Sequence, residues 1–377
     1  MIAGEEEAYD WEIFWGDINC FIADNGFQHG KMVESQRINH FPRNYELCRK
    51  DLMAKNLKRM KRNAAKTGGD VDAWDFFPQT YTLPIDWGLF VEEHKARGGV
   101  WIAKPVGRAQ GKGIFLLNKV SQLAEFKTRQ EDRSHLDGYI VQRYIERPLL
   151  IGMRKFDLRL YCLVTSFRPL TAYLHRGGFA RFSSESYKLN KHTLDDIDKH
   201  LTNAAITKKS SNYVEQTGNK WSVGSFRSWA LSNLGQERTL TLFAGIQNVI
   251  YKSLLACQEM VVQDRHCFEL YGYDIMIDAD LRPLLIEVNA QPSLSADTDM
   301  DRELKLTVVS DSLDVLEYDA TKTSDMPALT SMGGLDAFVI NDEPVKRNTP
   351  FKSFLGCHYE RHKNAHVKPR PPRSATG

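Results

Sequence analysis

The segment Tyr271-Gly-Tyr-Asp274-Ile-Met-Ile-Asp278-Ala-Asp280-Leu-Arg-Pro283-Leu-Leu-Ile-Glu287-Val-Asn289 gathers oxygen-bearing side chains between two apolar runs. Apolar β-type runs on either side of a polar turn predict a hairpin. With the hairpin symmetric about the bond between Asp280 and Leu281, position 274 lies opposite 287. Side chains at 287 and 289 share a face, because strands repeat every two residues. Asp274, Glu287 and Asn289 then converge as two carboxylates and a carboxamide. A hard-oxygen set without sulfur or imidazole suits Mg2+ held together with nucleotide phosphates. The plainer alternative is a polar edge of a two-sided sheet, but a Glu between Ile286 and Val288 in a buried strand needs a partner.

Two other stretches carry positive charge. Lys104-Pro-Val-Gly107-Arg-Ala-Gln110-Gly111-Lys112-Gly113 sets three glycines and two lysines between predicted strands. The glycines let backbone approach an anion, and Lys104 and Lys112 supply charge. Wrong glycine spacing, Gly113 in place of Ser or Thr, and a following strand exclude a Walker A loop. Taken alone, such a turn is also an ordinary hairpin loop. In Arg154-Lys155-Phe156-Asp157-Leu158-Arg159-Leu160-Tyr161, alternation puts Lys155, Asp157 and Arg159 on one face and Phe156, Leu158 and Leu160 on the other. That charged row is either a cross-strand ion-pair ladder or, through Lys155, a phosphate contact. Neither His-Arg-Asp nor Asp-Phe-Gly occurs, which excludes a protein kinase.

The elements that must position these groups follow from length and pattern. A chain of 377 residues, 42% hydrophobic and 26% charged, predicts two or three globular units. We expect an N-terminal domain over residues 1–98, closed by the turn Arg97-Gly98-Gly99. Catalytic elements follow over 99–316, and a basic, disordered tail over 317–377. Strands are predicted over 100–103, 114–117, 139–144, 156–167, 171–174, 271–277 and 284–288, with helices near 120–128, 225–234 and 240–262. Strands separated by helices and hairpins imply an α+β fold with mostly antiparallel sheets. The 240–262 stretch repeats its apolar residues at helical spacing and is broken by Gln247, Asn248, Lys252 and Glu259. It reads as a buried helix, not a membrane span. Residues 1–10 hold Glu5, Glu6 and Glu7 and no basic stretch, so no leader peptide is expected. Six scattered cysteines without a C-x-x-C pair predict neither a zinc site nor a redox motif. A net charge of +2 gives no case for nucleic acid. From Arg43 to Lys66, however, nine basic residues face only Glu46 and Asp51. That run is a solvated helix face or a surface for an acidic partner.

Together these residues resemble the tubulin tyrosine ligase-like family of the ATP-grasp superfamily. The matching motifs are Asn39-His-Phe-Pro-Arg-Asn-Tyr-Glu-Leu, Lys104-Pro with Gln110-Gly-Lys-Gly-Ile, Gln142-Arg-Tyr-Ile, Arg154-Lys-Phe-Asp-Leu-Arg, Gly178-Phe-Ala-Arg-Phe, His200-Leu-Thr-Asn, Tyr271-Gly-Tyr-Asp and Glu287-Val-Asn. The nearest subgroup looks like the tubulin polyglutamylases of cilia and flagella, in particular the ninth branch, which the stretches beginning at Gly334 and Asn341 also resemble.

The resemblance implies an ATP-grasp fold with a small N-terminal domain, a central domain and a C-terminal domain. ATP and Mg2+ would be the cofactors. Lys104, Lys155, Arg159 and Glu287 would be catalytic. Lys104, Gln110, Gly111, Gln142, Arg143, Tyr144, Ile145, Lys155, Phe156, Asp157, Thr202 and Asn203 would bind nucleotide, and Asp274, Glu287 and Asn289 the metal. Arg181 and Lys305 would take the carboxylates of the incoming amino acid. The usual Asn-x-Ser-Pro-Ser reads Asn289-Ala290-Gln291-Pro292-Ser293 here, a departure at the substrate end. The implied reaction is ATP-driven amide formation between free L-glutamate and glutamate side chains in the acidic tails of tubulin, through an acyl phosphate. The implied setting is cytoplasm and cytoskeleton, at the basal body and axoneme of a cilium or flagellum, with neither nucleic acid nor membrane as partner. The alternatives are a microtubule-docking subunit active only within a glutamylase complex, and an ATP-grasp ligase of other amino-acid choice, such as a tubulin glycylase.

Overall fold

The computed structural model describes residues 11–17, 32–107, 111–123, 138–189, 194, 200–202, 219–321 and 326–345. Helix α1 (Lys50–Thr67) carries a buried stripe at Lys50, Met53, Ala54 and Leu57, with the i, i+3, i+4, i+7 spacing of one helix face. It stops where Gly68 adopts a left-handed φ of 71° and its N–H caps the Ala64 carbonyl. A four-stranded antiparallel sheet follows, made of β1 (Thr80–Leu83), β2 (Trp101–Pro105), β3 (Phe115–Leu117) and β4 (Tyr139–Arg143) in the order β1-β4-β2-β3. Helix α2 (Trp87–Arg97) covers it, packing Phe90 onto Tyr81 and Trp101 with ring centroids 5.9 and 5.3 Å apart.

A larger antiparallel sheet holds β5 (Arg154–Phe167), β6 (Leu170–Ser186), β7 (Glu269–Ile277), β8 (Pro283–Asn289) and β9 (Leu335–Ile340), with a main path β8-β7-β5-β6-β9. Helices α3 (Val223–Leu234) and α4 (Gln236–Gln258) pack on it. α4 buries Leu242, Phe243, Ile246, Val249, Ile250 and Leu254, so the apolar helix expected near 240–262 is a core element. Every residue of β7 is buried, because the sheet is covered on both faces. Helix α5 (Asp299–Thr321) completes the second layer. The architecture is α+β with mostly antiparallel sheets, as the strand pattern implies.

Two boundaries differ from expectation. The turn at 97–99 only ends α2, with the Gly98 N–H on the His94 carbonyl. Strand β1 lies before that turn and pairs with β4 beyond it, so a division at residue 98 would cut the small sheet. Residues 317–345, expected to open a disordered tail, instead hold the end of α5 and all of β9. β9 pairs with β6 at the end of the large sheet, and its Leu335, Ala337, Phe338 and Val339 are buried. The basic stretch 346–377 lies outside the described residues.

Candidate active site

The hairpin arithmetic lands on the right pair by a different route. Near the turn the register centres on Asp280, with Ile275 opposite Leu285. A bulge at Ile286 then adds one residue, so Asp274 pairs with Glu287 and Gly272 with Asn289. Both carboxyl groups therefore sit side by side on the sheet. Burial above all, then the charge of Asp274 and a hydrogen bond with it, push Glu287 up from the ordinary carboxyl range. Burial acts on Asp274 in the same sense, but the guanidinium groups of Arg159 and Arg181 outweigh it and hold Asp274 well below that range. Arg159 donates from Nε at 2.5 Å and from Nη2 at 3.0 Å, and Arg181 Nη2 lies 2.9 Å from Oδ2.

Opposing strands fix the charged row on β5. Asp157 faces Arg181 and Arg159 faces Asp274 in register, so the row is an ion-pair ladder and one wall of a cleft at once. Arg181 donates to Asp157 from Nε at 3.0 Å and from Nη2 as well. Burial opposes the Arg181 charge, yet Asp157 and Asp274 together raise its proton affinity above the usual value. Lys155 lies one step along the same face, its ammonium donating to the His200 carbonyl at 2.9 Å and the Tyr144 hydroxyl at 3.0 Å. Burial pulls Lys155 down to about 7, with Asp157 opposing. From the facing small sheet, Lys104 donates to Gln142 Oε1 at 2.7 Å, and Gln142 is itself anchored on Thr80 at 2.9 Å. Burial lowers Lys104 to about 8.

One cleft between the sheets is lined by Lys104, Gly111, Gln142, Arg143, Tyr144, Ile145, Lys155, Asp157, Thr202, Asp274 and Glu287. Eleven of the residues expected at a nucleotide and metal site thus meet there. Phe156, Arg159, Arg181, Asn289 and Lys305 are not among its lining residues. Phe156 is in the core against Phe182 and Phe226, as strand alternation demands, so its expected nucleotide contact is corrected. Arg143 turns its guanidinium to the Gly98 carbonyl and Glu146, which leaves its backbone to the cleft. Arg181 and Lys305 stand beside the cleft, joined through Lys220: Lys220 pairs in register with Arg181 and shares Asp301 with Lys305, at 2.8 and 2.9 Å. Gln110 and Asn203 lie outside the described residues. Asn289 borders the carboxyl pair, its amide nitrogen 3.5 Å from Glu287 Oε1.

Sequence reasoning missed Lys50, whose ammonium reaches 3.9 Å from Glu287 Oε2, and the apolar lining Ile102, Ile114, Met276 and Ile286. It also missed Lys220. The buried spacing of Lys50 with Met53, Ala54 and Leu57 carried the first signal. The apolar lining carried none, since a strand residue facing a cleft reads like one facing a core.

Two antiparallel sheets thus close on a carboxyl pair and two buried lysines. The family model described as the tubulin-tyrosine ligase family matches residues 28–326, and the chain belongs to that family. A probable tubulin polyglutamylase TTLL9 of Bos taurus is 41% identical over 372 residues, spanning 90% of this chain and 79% of the relative. A probable alpha-tubulin polyglutamylase Ttll1 of Tetrahymena thermophila is 43% identical over 325 residues, spanning 81% and 78%. Tubulin polyglutamylase TTLL5 of Homo sapiens is 38% identical over 302 residues, spanning 76% of this chain and 22% of that relative.

Proposed function

We propose that the protein is an ATP-dependent tubulin polyglutamylase, joining free L-glutamate to glutamate side chains in the acidic C-terminal tails of tubulin. The observation that carries this reading is the meeting of Asp274 and Glu287 with Lys104 and Lys155 in one cleft between two sheets. Two adjacent carboxyl groups, with a carboxamide beside them, suit a hard divalent cation. Mg2+ bound by Asp274, Glu287 and Asn289 would offset charge on the phosphates.

The chemistry begins with a poor electrophile. The acceptor carboxylate attacks the γ-phosphorus, the bond to ADP breaks, and an acyl phosphate forms. The amine of free glutamate then attacks the acyl carbon, phosphate leaves, and the nitrogen gives up a proton. Lys104 and Lys155 neutralise phosphate oxygens in a site where burial strengthens each charge. Gln142, Arg143, Tyr144 and Ile145 present strand edge to the adenine, and Gly111 and Thr202 close around the nucleotide. Arg159 keeps Asp274 charged and aimed. Arg181 and Lys305 receive the glutamate carboxylates, Arg181 through a planar fork that matches them. The lysine- and arginine-rich outer face of α1 speeds encounter with acidic tails. A cytoskeletal, ciliary setting and cooperation with other glutamylase subunits belong to the same reading. ADP release tests it. Release should require both glutamate and microtubules, and polymers stripped of their acidic tails should not support it. Equal release on stripped polymers would contradict the reading.

A further inference from the structure

Beyond the carboxyl pair, the strands that carry it shape a second cavity that the reaction outlined above does not use. Leu270, Gly272 and Asp274 lie on one face of β7, because alternate strand residues share a side. Asp274 reaches the cleft, whereas Leu270, four residues back, lines a separate cavity of about 410 Å3. At ~3.3 Å per residue the two are roughly 13 Å apart along the strand. Gly272 stands between them for a packing reason. A Cβ there would come within 2.8 Å of Pro292 Cβ, so its absence lets the chain that leaves β8 after Asn289 lie down on β7. That descent brings Gln291 to the cavity wall.

The wall is fixed, and its hydrogen bonding has a direction. Asn39 holds Gly16 twice, accepting from its N–H at Oδ1 and donating from Nδ2 to its carbonyl, both at 3.0 Å. Gln291 Nε2 donates to the same carbonyl at 3.3 Å. A carbonyl only accepts, so the amide nitrogen of Gln291 faces Gly16 and its Oε1 turns away from it. Gln291 is exposed, so that oxygen is an acceptor presented on the wall. Trp15, edge-on to Phe268 with ring centroids 5.4 Å apart, adds apolar surface together with Leu270 and Leu294. Among the described residues, none of those lining the cavity is a lysine, arginine or histidine. A carboxylate entering it would lose water without gaining a counter-charge.

We propose that this cavity is a subsite for the acceptor polypeptide, taking one neutral residue of an extended chain whose main-chain N–H donates to Gln291 Oε1 and whose side chain packs on Trp15 and Leu270. The inference rests on the ligase reading and adds to it a rule for which glutamate is chosen. An extended chain with its acceptor carboxylate beside Asp274 reaches Leu270 within about four residues. The glutamate modified is therefore one with a neutral residue that close, not one inside an unbroken acidic run.

The test uses full-length wild-type and Gln291→Leu protein with fluorescent glutamate peptides of identical composition, each holding a single leucine at a different position. The site of glutamate addition, mapped by mass spectrometry, should follow the leucine in wild type, staying within about four residues of it. Gln291→Leu should raise the peptide KM about tenfold and blur the site, with kcat and the KM values for ATP and free glutamate within about threefold of wild type. A wild-type site that ignores the leucine would overturn the proposal. So would an unchanged peptide KM in folded Gln291→Leu, or an equal rise in the KM for ATP, which would make Gln291 structural. Should Gln291→Leu fail to fold, Gln291→Ser takes its place under the same criteria. Where wild type adds no glutamate to the peptides, their binding by fluorescence anisotropy decides: affinity about tenfold weaker in the variant sustains the subsite, and equal affinity overturns it. No addition to microtubules either would contradict the ligase reading, separately from the subsite.

Discussion

Glu287 and the two buried lysines carry opposite kinds of electrostatic strain, and each yields a measurable consequence. The raised proton affinity of Glu287 means that the folded protein holds a proton there which the unfolded chain releases at lower pH. Stability without metal therefore falls as pH rises through that window. Glu287→Gln removes the titration at nearly constant volume. We expect turnover to drop by about two orders of magnitude or more while the melting temperature in chelator is unchanged or higher. Turnover near wild type would remove Glu287 from the metal site. Lys155 near 7 and Lys104 near 8 have the reverse sign: burial strips protons that an unfolded lysine would keep to about 10.4. Polyphosphate restores them, so ATP binding near pH 8 should take up protons and weaken as pH climbs from 7 to 9. Calorimetry in two buffers of different ionisation heat checks this, and a binding heat independent of buffer would contradict it. The pairing of Asp274 with Glu287 was legible in sequence because period-two alternation and a tight turn fix strand partners. The bulge at Ile286 was not legible, since nothing in the residue types at 284–288 marks the extra residue.

Among the helices, α1 shows how a charge run divides once it folds. Of its basic residues, Lys50 enters the cleft, Arg59 holds α4, and Lys58 and Lys61 pair with Asp86 and Asp75. Lys55, Arg62 and Lys66 remain on the exposed side. Reversing those three to Glu should weaken modification of microtubules at low salt and leave ATP affinity unchanged. The deficit should shrink as salt approaches about 0.15 M, where screening acts over about 8 Å. Normal modification at low salt would make the run a solvated face. Two elements escaped the sequence reading for identifiable reasons. Helix α5 buries Asp301, Lys305, Asp311 and Ser312, so its inward face does not look apolar. Strand β9 follows polar, Met-rich chain, yet Leu335 is fully buried. Leu335→Ala should cost about 2–5 kcal/mol in denaturant unfolding. A loss below about 1 kcal/mol would mean that β9 is not part of the folding unit.

At the scale of the whole molecule, the two sheets matter because neither carries the site alone. Lys104 and Gln142 come from the small sheet, Lys155, Asp274 and Glu287 from the large one, and Lys50 from the first helix. Sequence motifs named most of these groups, but a division at residue 98 separates β1 from the strand β4 with which it pairs. The family assignment and the cleft together make amino-acid choice the decisive property. Purified full-length protein should be incubated with microtubules, ATP and Mg2+, with labelled glutamate, glycine and tyrosine supplied in parallel, and the tubulin tails read by mass spectrometry. Our account predicts label from glutamate only, in amide linkage to tail glutamates, absent without ATP and absent with Glu287→Gln. Preferred incorporation of glycine or tyrosine, or glutamate addition that persists in Glu287→Gln, would contradict it.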